Sequence, residues 1–399
     1  MDYNWIEIEN IPPLTGEDAI ILFGAGEGTR QLLHYFKHIG PQPRILAVAD
    51  NDRSMWGRTF QDLPIIDPAD IPNIIGQNAL CRILVTTVSG RESVTAQLAT
   101  LGLMEGSHFF NLGCYPSEAM THLKTLLEFN DEHPFLMSES SILHVGPGGF
   151  LALECGLTVL GHTVYSLDAF GFAMHYPEVG ADIKRYHAAE RQFLVWAENR
   201  GYDVAALKSA WGKLFLKRGT RVYLNSKRIR YLFPYRFEQL PFQADSLDLV
   251  LSFNVLEHVS SPDQTVAEIW RVLKPGGFCF HRITTRDHRS FSAVAGYTPL
   301  SFLQYSPEQW RALVADKFHQ NQMLPFQWQA AFKQHGFEII VYKVLDRYDM
   351  PDPEYDTMHT SFKQFPREQL GEINCLQLLR KPNRRLTRKH HQFVVDKKK

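Results

Sequence analysis

Short apolar runs alternate with amphipathic stretches in two successive series along the chain. In the first, Ala19–Phe23 is a continuous apolar run that reads as a strand, and GAGEGTR turns into a helix over residues 31–38. Arg44–Ala49 is a second strand ending at Asp50, residues 82–87 a third, and residues 92–101 an amphipathic helix. Strands separated by helices imply a parallel sheet covered by helices. The polar stretch 114–134 holds the boundary, which gives a first domain over residues 1–120. The second series begins with the strand Ser141–Val145, a helix over 151–160, and the strand Thr163–Leu167 ending at Asp168. Residues 171–230 break the rhythm with helical, aromatic-rich sequence that includes an amphipathic stretch at 185–199. The rhythm resumes with the strand Leu247–Phe253, a helix over 261–273 and a strand over 277–283. Residues 337–344 and 375–379 read as two paired edge strands, which closes a second domain at 121–382. The predicted fold class is α/β with two Rossmann-like domains.

Composition adds three limits. A chain of 399 residues defaults to two domains, and 44% hydrophobic residues with 12% aromatics can fill both cores. A formal net charge of -1 supplies no global field toward acidic partners. The five cysteines are scattered, odd in number and without a C-x-x-C pair, so neither a disulfide framework nor a zinc site is predicted, and no metal ligands are assigned. The acidic start MDYNWIEIEN does not read as a secretory signal, and no apolar run reaches the roughly 18 residues of a membrane span. A soluble, cytoplasmic protein is the expectation. The tail 383–399 carries Arg384, Arg385, Arg388, Lys389 and terminal lysines against Asp396. It reads as a solvated end, or as a weak contact for an anionic membrane surface. Apart from Phe393 it lacks interleaved aromatics, so no nucleic-acid partner is predicted.

Chemistry enters with the second series. A strand runs into Gly146-Pro147-Gly148-Gly149 and a helix starts at once. Glycines there let a ligand approach the backbone, or serve only a tight turn. Asp168 follows about twenty residues on, where an acid accepts hydrogen bonds from ribose hydroxyls. Downstream stand Leu240-Pro241-Phe242, Ser246-Leu247-Asp248-Leu249-Val250, Val255-Leu256-Glu257-His258-Val259 and Arg271-Val272-Leu273-Lys274-Pro275-Gly276-Gly277. In order and spacing these resemble the central signature of class I S-adenosylmethionine-dependent methyltransferases. The resemblance implies a seven-stranded sheet with a helical insertion and S-adenosylmethionine as cofactor. It also implies Glu238 near the adenine and Asn254 facing cofactor and substrate. His258 is either a helix-start residue shaping the pocket floor or a base, and the structural role is the preferred reading.

A narrower resemblance, over about residues 141–379, is to a branch of these enzymes found with bacterial cell-surface polysaccharide genes. It is carried by Gly146-Pro147-Gly148, His281-Arg282-Ile283, Asp287-His288, Tyr305-Ser306, Trp310 and Asn321. Ser306-Pro307-Glu308-Gln309 also reads as a capped helix start. The chain departs from the branch at His144, Phe150, Ala152 and Gln322.

Methyl transfer from a sulfonium needs alignment, exclusion of water and removal of a proton from a hydroxyl acceptor. Histidine suits that last task. His288, oriented by Asp287, is the expected base and His281 the second choice; otherwise Asp287-His288 is a polar turn. The long interruption at 171–230 is expected to cover the acceptor pocket beside His288. Neither an Asn-Pro-Pro-Tyr nor an Asp-Pro-Pro-Tyr run is present, which argues against methylation of exocyclic base amines. The resemblance thus implies a polysaccharide-biosynthesis methyltransferase that modifies a small-molecule or glycan acceptor, at oxygen on a sugar or saccharide intermediate. The alternative is a binding or scaffold protein that keeps the fold without the reaction.

The first domain holds Gly24-Ala25-Gly26-Glu27-Gly28, with Asp50 at the end of its second strand. It resembles small Rossmann-like domains that accompany sugar-modifying acyltransferases and some sugar methyltransferases. That implies a nucleotide-binding or sugar-nucleotide site at Gly24, Gly26, Gly28 and Asp50, with helix N-terminal amides favouring anions. An oligomerisation or scaffold role is the other reading. No Tyr-x-x-x-Lys pair follows, which argues against an oxidoreductase.

Overall fold

A continuous apolar strand must be covered on both faces, and Ala19–Phe23 shows how this chain does it. The computed structural model describes residues 5–78, 81–87, 91–113, 118–173, 175–225, 227–291, 296–314 and 319–383. The chain divides into one unit of Met1–Ser117 with Phe291–Gly296, and another of Glu118–Ser290 with Tyr297–Lys399. In the first unit lie β1 (Ala19–Phe23), β2 (Arg44–Ala49), β3 (Thr59–Phe60), β4 (Leu63–Ile66), β5 (Cys81–Val85) and β6 (Phe109–Asn111). They form one sheet in the order β3-β4-β2-β1-β5-β6, parallel except for the β3/β4 hairpin. Ile21 and Phe23 of β1 pack into a cluster with Ile71, Val94 and Leu98. Ile20 and Leu22 point to the other face, against Leu32 and Phe36. The helices that supply these partners are α1 (Glu27–His38), α2 (Ile71–Gln77) and α3 (Arg91–Thr100).

The second unit holds β7 (Ser141–Val145), β8 (Thr163–Leu167), β9 (Phe215–Arg218), β10 (Arg221–Leu224) and β11 (Ile229–Leu232). It continues with β12 (Leu247–Phe253), β13 (Leu273–Thr284), β14 (Glu338–Arg347) and β15 (Glu372–Arg380). Seven of them form a sheet in the order β11-β8-β7-β12-β13-β15-β14, and β15 runs antiparallel to both of its neighbours. The seven strands match expectation, but two readings need correction. The C-terminal runs do pair, but only β14 is an edge strand: β15 inserts between β13 and β14, and its burial is nearly continuous. The stretch 171–230 is not wholly helical, since it contains the β9/β10 hairpin and edge strand β11.

Two helical layers bury the sheet. One face carries α4 (Ala119–Glu132), α5 (Ala152–Val159), α6 (Ile183–Glu198) and α7 (Val204–Gly212), which enclose Leu251, Phe280 and Leu378. The other carries α8 (Pro262–Val272) and, after α9 (Pro307–Val314), α10 (Pro325–Gln334), which enclose Val250, Cys279 and Leu379. Each such buried leucine contributes about 1.5–3 kcal/mol. A satellite cluster joins Leu300, Phe302, Trp310, Met350 and Phe362. At the start of α9, the Gln309 amide donates to Ser306 Oγ at 3.2 Å and the Ser306 amide to Gln309 Oε1 at 2.9 Å, so the capping box forms.

The insertion packs beside the start of α5. Its helices α6 and α7 lie on α4 and α5, and the Leu151 amide, at the start of α5, donates to the Tyr186 hydroxyl at 3.3 Å. It therefore packs on the glycine-loop side, and its Phe172 lines the same pocket as His258. Cys81, Cys155, Cys279 and Cys375 are buried free thiols. Among the described residues no helix is long and apolar enough to cross a membrane. Cys114 and the basic residues 384–399 lie outside the described residues.

Candidate functional site

The glycine loop begins where β7 ends. The Gly146 amide donates to the Leu167 carbonyl at 2.9 Å, which ties the turn to β8. Gly146 has φ +70°, and a Cβ there would stand 2.4 Å from Val255 Cγ2. Both facts demand glycine, because a side chain is strained at that φ and has no room. Gly148 shares the φ of +70° but faces open space, and a Cβ on Gly149 would meet the Phe172 carbonyl at 3.3 Å. A pocket opens above the turn, lined by Gly146, Gly148, Asp168, Glu238, Asn254 and His258. Pro147 and Gly149 shape the turn without lining the pocket.

Two residues that line the pocket each carry a buried acceptor atom without a hydrogen bond. Asp168 Oδ1 accepts from the Phe170 amide at 3.0 Å, while its buried Oδ2 makes no hydrogen bond. Burial pushes the Asp168 carboxyl above its usual value, against the pull of neighbouring amides. Asn254 follows β12 at φ +55°, an uncommon conformation for a residue with a side chain. Its amide donates to the Arg282 carbonyl at 2.9 Å, and its Oδ1 is buried without a hydrogen bond. Buried acceptors of this kind are normally satisfied. A ligand that offers hydroxyl and amino donors above a glycine turn fits both.

Glu238 is placed differently from its expected contact with adenine. It lines the pocket, yet its Oε1 accepts from the Ser260 amide and hydroxyl, each at 2.7 Å, just before α8. Burial would raise its pKa, but those Ser260 hydrogen bonds outweigh it and hold the carboxyl below the usual range. One oxygen is therefore committed to shaping the turn.

Residue 144, a departure from the family pattern, is answered in space. His144 Nδ1 lies 2.6 Å from Glu154 Oε1, which also accepts from Ser166 Oγ at 2.7 Å. The buried imidazole is thus paired with a carboxylate from α5, at a residue the linear motif passes over. Phe150 is buried against Tyr186, with the Arg185 guanidinium 4.5 Å from its ring centre. Ala152 sits fully buried in the first turn of α5. Gln322 Nε2 donates to the Phe302 and Tyr305 carbonyls at 2.8 and 3.2 Å, which makes it a bracket for the chain leading to α9.

The expected base and its helpers separate. His281 is 0% exposed within β13, bonds Ser252 Oγ through Nδ1 at 2.8 Å and stacks on Phe332. It lies in the core and cannot meet a substrate. Asp287 is also 0% exposed, and does not orient His288. Its oxygens accept from the Arg289 amide at 2.9 Å, Nε at 3.0 Å and Nη2 at 2.7 Å. The guanidinium is in turn ringed by Tyr297, Tyr305 and Trp310 at 4.1, 5.4 and 4.8 Å. Asp287-Arg289 is an anchor that the spacing D-x-R could have suggested.

His288 faces His258 instead, with ring centres 4.8 Å apart. His258 lines the pocket, and its Nδ1–H donates to the His319 carbonyl at 2.7 Å. The segment of residues 319–321 clamps both turns. Gln320 Oε1 takes the His288 amide at 3.1 Å and its Nε2 donates to the Arg286 carbonyl at 2.7 Å. Asn321 Nδ2 donates to the Leu256 and Val259 carbonyls at 2.8 and 3.1 Å. Burial lowers the pKa of His288, with Asp287 pulling the other way, and lowers that of His258 to about 4. Both rings are neutral near pH 7. Neighbouring Glu257 is pushed well above the carboxylate range by burial.

These buried histidines give a pH dependence with a definite sign. Burial holds His281 at about 3 against an ordinary 6.5. Between those values the unfolded chain binds a proton that the folded chain refuses. Stability is then fully present above pH 6.5 and is lost as pH falls below it. His258 acts in the same direction. The urea midpoint is expected to drop between pH 7 and 5. His281→Gln, which keeps a partner for Ser252, should shallow that slope by up to about 1.4 kcal/mol per pH unit. An unchanged slope would show that His281 does not carry it.

In the first unit, both oxygens of Asp50 accept hydrogen bonds from backbone amides. Its Oδ2 accepts from the Ala25 amide at 2.7 Å and its Oδ1 from the Asp52 amide at 2.8 Å. A Cβ on Gly28 would stand 2.6 Å from the Thr86 carbonyl, and one on Gly24, at φ +105°, 2.8 Å from Thr87 Oγ1. These two glycines serve close packing of α1 on β5. Gly26 alone faces open space.

Comparison with known proteins bears on the second unit. The family profile described as "Methyltransferase domain" matches residues 217–281. Uncharacterized methyltransferases of Mycobacterium avium (strain 104) and Mycobacterium marinum are each 58% identical over 38 residues, 10% of this chain. The matched stretch spans only 15% of those relatives' own length. Among solved structures, a SAM-dependent methyltransferase from Methanosarcina mazei is 16% identical. It covers 64% of this chain and 98% of its own at a TM-score of 0.33. One from Mesorhizobium loti is 14% identical, over 65% and 99%, also at 0.33. The family match runs from β9 to β13 and so lies wholly within the second unit, whose sheet has seven strands.

Proposed function

We propose that this chain transfers the methyl group of S-adenosylmethionine to a hydroxyl of a small molecule or glycan, a sugar or saccharide intermediate. The observation that carries the reading is one pocket with the glycine cradle at Gly146, the unused acceptors Asp168 Oδ2 and Asn254 Oδ1, and the neutral imidazole of His258 on its wall. The cofactor supplies an electrophilic methyl on a sulfonium that departs as a neutral thioether. Asp168 accepts from its ribose hydroxyls, and Asn254 Oδ1 takes a second donor. His258 is oriented by its Nδ1 hydrogen bond to the His319 carbonyl, and its imidazole takes the proton of the acceptor. A neutral imidazole is what a hydroxyl acceptor requires of a base. Support for a saccharide comes from the sequence resemblance to the polysaccharide-associated branch. The departures at residues 144 and 322 are accommodated by the fold, through the His144–Glu154 pair and the Gln322 bracket.

The test is transfer of labelled methyl from S-adenosylmethionine to a panel of sugar hydroxyl acceptors. His258→Ala should lower kcat about 10²–10⁴-fold while S-adenosylhomocysteine still binds. A wild-type protein that gives no heat with saturating S-adenosylhomocysteine would overturn the reading.

A further inference from the structure

We infer that Glu257, His258 and His288 form a site for one divalent cation at the foot of the cofactor pocket. One ligand atom from each of the three lies within 4.8 Å of the other two. Bonds of about 2.0–2.2 Å would draw these atoms inward by roughly 1 Å, within reach of side-chain rotation. Two imidazoles and a carboxylate suit Zn²⁺, Fe²⁺, Co²⁺ or Mn²⁺ better than Ca²⁺.

Three independent features converge on the cluster. Glu257 is 1% exposed, and neither carboxylate oxygen makes a hydrogen bond. A buried carboxyl without partners is costly, and a cation is the group that removes the cost. Arg282 lies near enough for its field to reach Glu257, but its Nη1 bonds Glu118 at 3.3 Å. Second, the Nδ1–H of His258 donates to the His319 carbonyl, the outer contact that orients a metal-binding imidazole. Third, His319, Gln320 and Asn321 pin the turn bearing Glu257 and His258 to the turn bearing His288. That rigidity is what a preformed ligand set needs.

For its purpose the inference rests on the methyl-transfer reading. Because His258 lines the pocket, the open positions of the cation would face the acceptor. A hydroxyl bound there has a lowered pKa and loses its proton to water. Its oxygen then forms the new C–O bond as the S–C bond breaks, and the electron pair stays on sulfur. His258 and His288 act in this version as ligands rather than bases.

Full-length protein freed of metal by a chelator is titrated with Co²⁺, read by visible absorption and calorimetry, with S-adenosylhomocysteine titrated in parallel. One Co²⁺ per chain is expected, displaced by Zn²⁺ and weakened about tenfold or more in His288→Ala and Glu257→Gln, while S-adenosylhomocysteine still binds. If Glu257→Gln fails to fold, the half-buried His288 carries the comparison. Normal S-adenosylhomocysteine binding with no stoichiometric Co²⁺, or Co²⁺ affinity unchanged in His288→Ala, would overturn the cation site alone. Stoichiometric Co²⁺ lost in His288→Ala, with no binding of S-adenosylhomocysteine, would uphold the site and overturn methyl transfer.

Discussion

Gly146→Val is expected to lower S-adenosylhomocysteine affinity by two orders of magnitude or more, about 2.7 kcal/mol of binding free energy. The residue sits at φ +70°, and its Cβ would fall 2.4 Å from Val255 Cγ2. A left-handed φ costs a branched side chain about 1–2 kcal/mol and overpacking about 1–3 kcal/mol. Relief comes most easily if the turn swings away from Val255 and into the space above Asp168. A domain with 5–15 kcal/mol of stability survives that strain, so the loss should be read in calorimetry on protein with an unchanged circular dichroism spectrum. Gly148 makes a useful contrast. It has the same φ but open surroundings, so Gly148→Ala carries only the strain and should bind more tightly than Gly146→Val. Equal affinities for wild type and Gly146→Val would remove the glycine turn from the cofactor site.

Asp287→Ala should act on stability rather than on the pH profile of catalysis. The carboxylate is fully buried and holds the Arg289 guanidinium on two nitrogens inside a ring of Tyr297, Tyr305 and Trp310. Removing one partner of such a pair leaves an uncompensated charge, at a cost of about 3–5 kcal/mol. The chain around α9 would be the first to loosen, because Trp310 Nε1 also donates to the Gln320 carbonyl at 2.6 Å. Through Gln320 the change reaches the His288 turn. Urea denaturation of the two proteins measures it. A stable Asp287→Ala variant whose activity lost its dependence on pH would restore the orienting role that the sequence suggested.

The contrast between these residues shows where linear reading works. Asp168 and Gly146 were legible because strand, turn and helix are set by neighbours in the chain, and the spacing from β7 to the end of β8 is local geometry. Asp287, His288 and His281 are equally visible as residue types, yet their roles depend on what packs against them. His281 alternates into the core side of β13, and Asp287 finds Arg289 before it can find His288. Glu154 was missed because it occupies an ordinary helical position and becomes the partner of His144 only when α5 lies across β7. The clamp at residues 319–321 unites turns that are distant in sequence, and no local period announces it.

By itself, the sequence determined two α/β series, the glycine turn with its acid, and the strands that make up most of the seven-stranded sheet. Each depends on hydrophobic period or on backbone freedom, which neighbouring residues specify. Tertiary structure alone decided that β15 slides between β13 and β14, that the insertion covers α5, and that His258 rather than Asp287 meets His288. Those outcomes turn on burial and on pairing between distant segments, where the cost of an unsatisfied buried group selects the arrangement and a linear pattern carries no record of it.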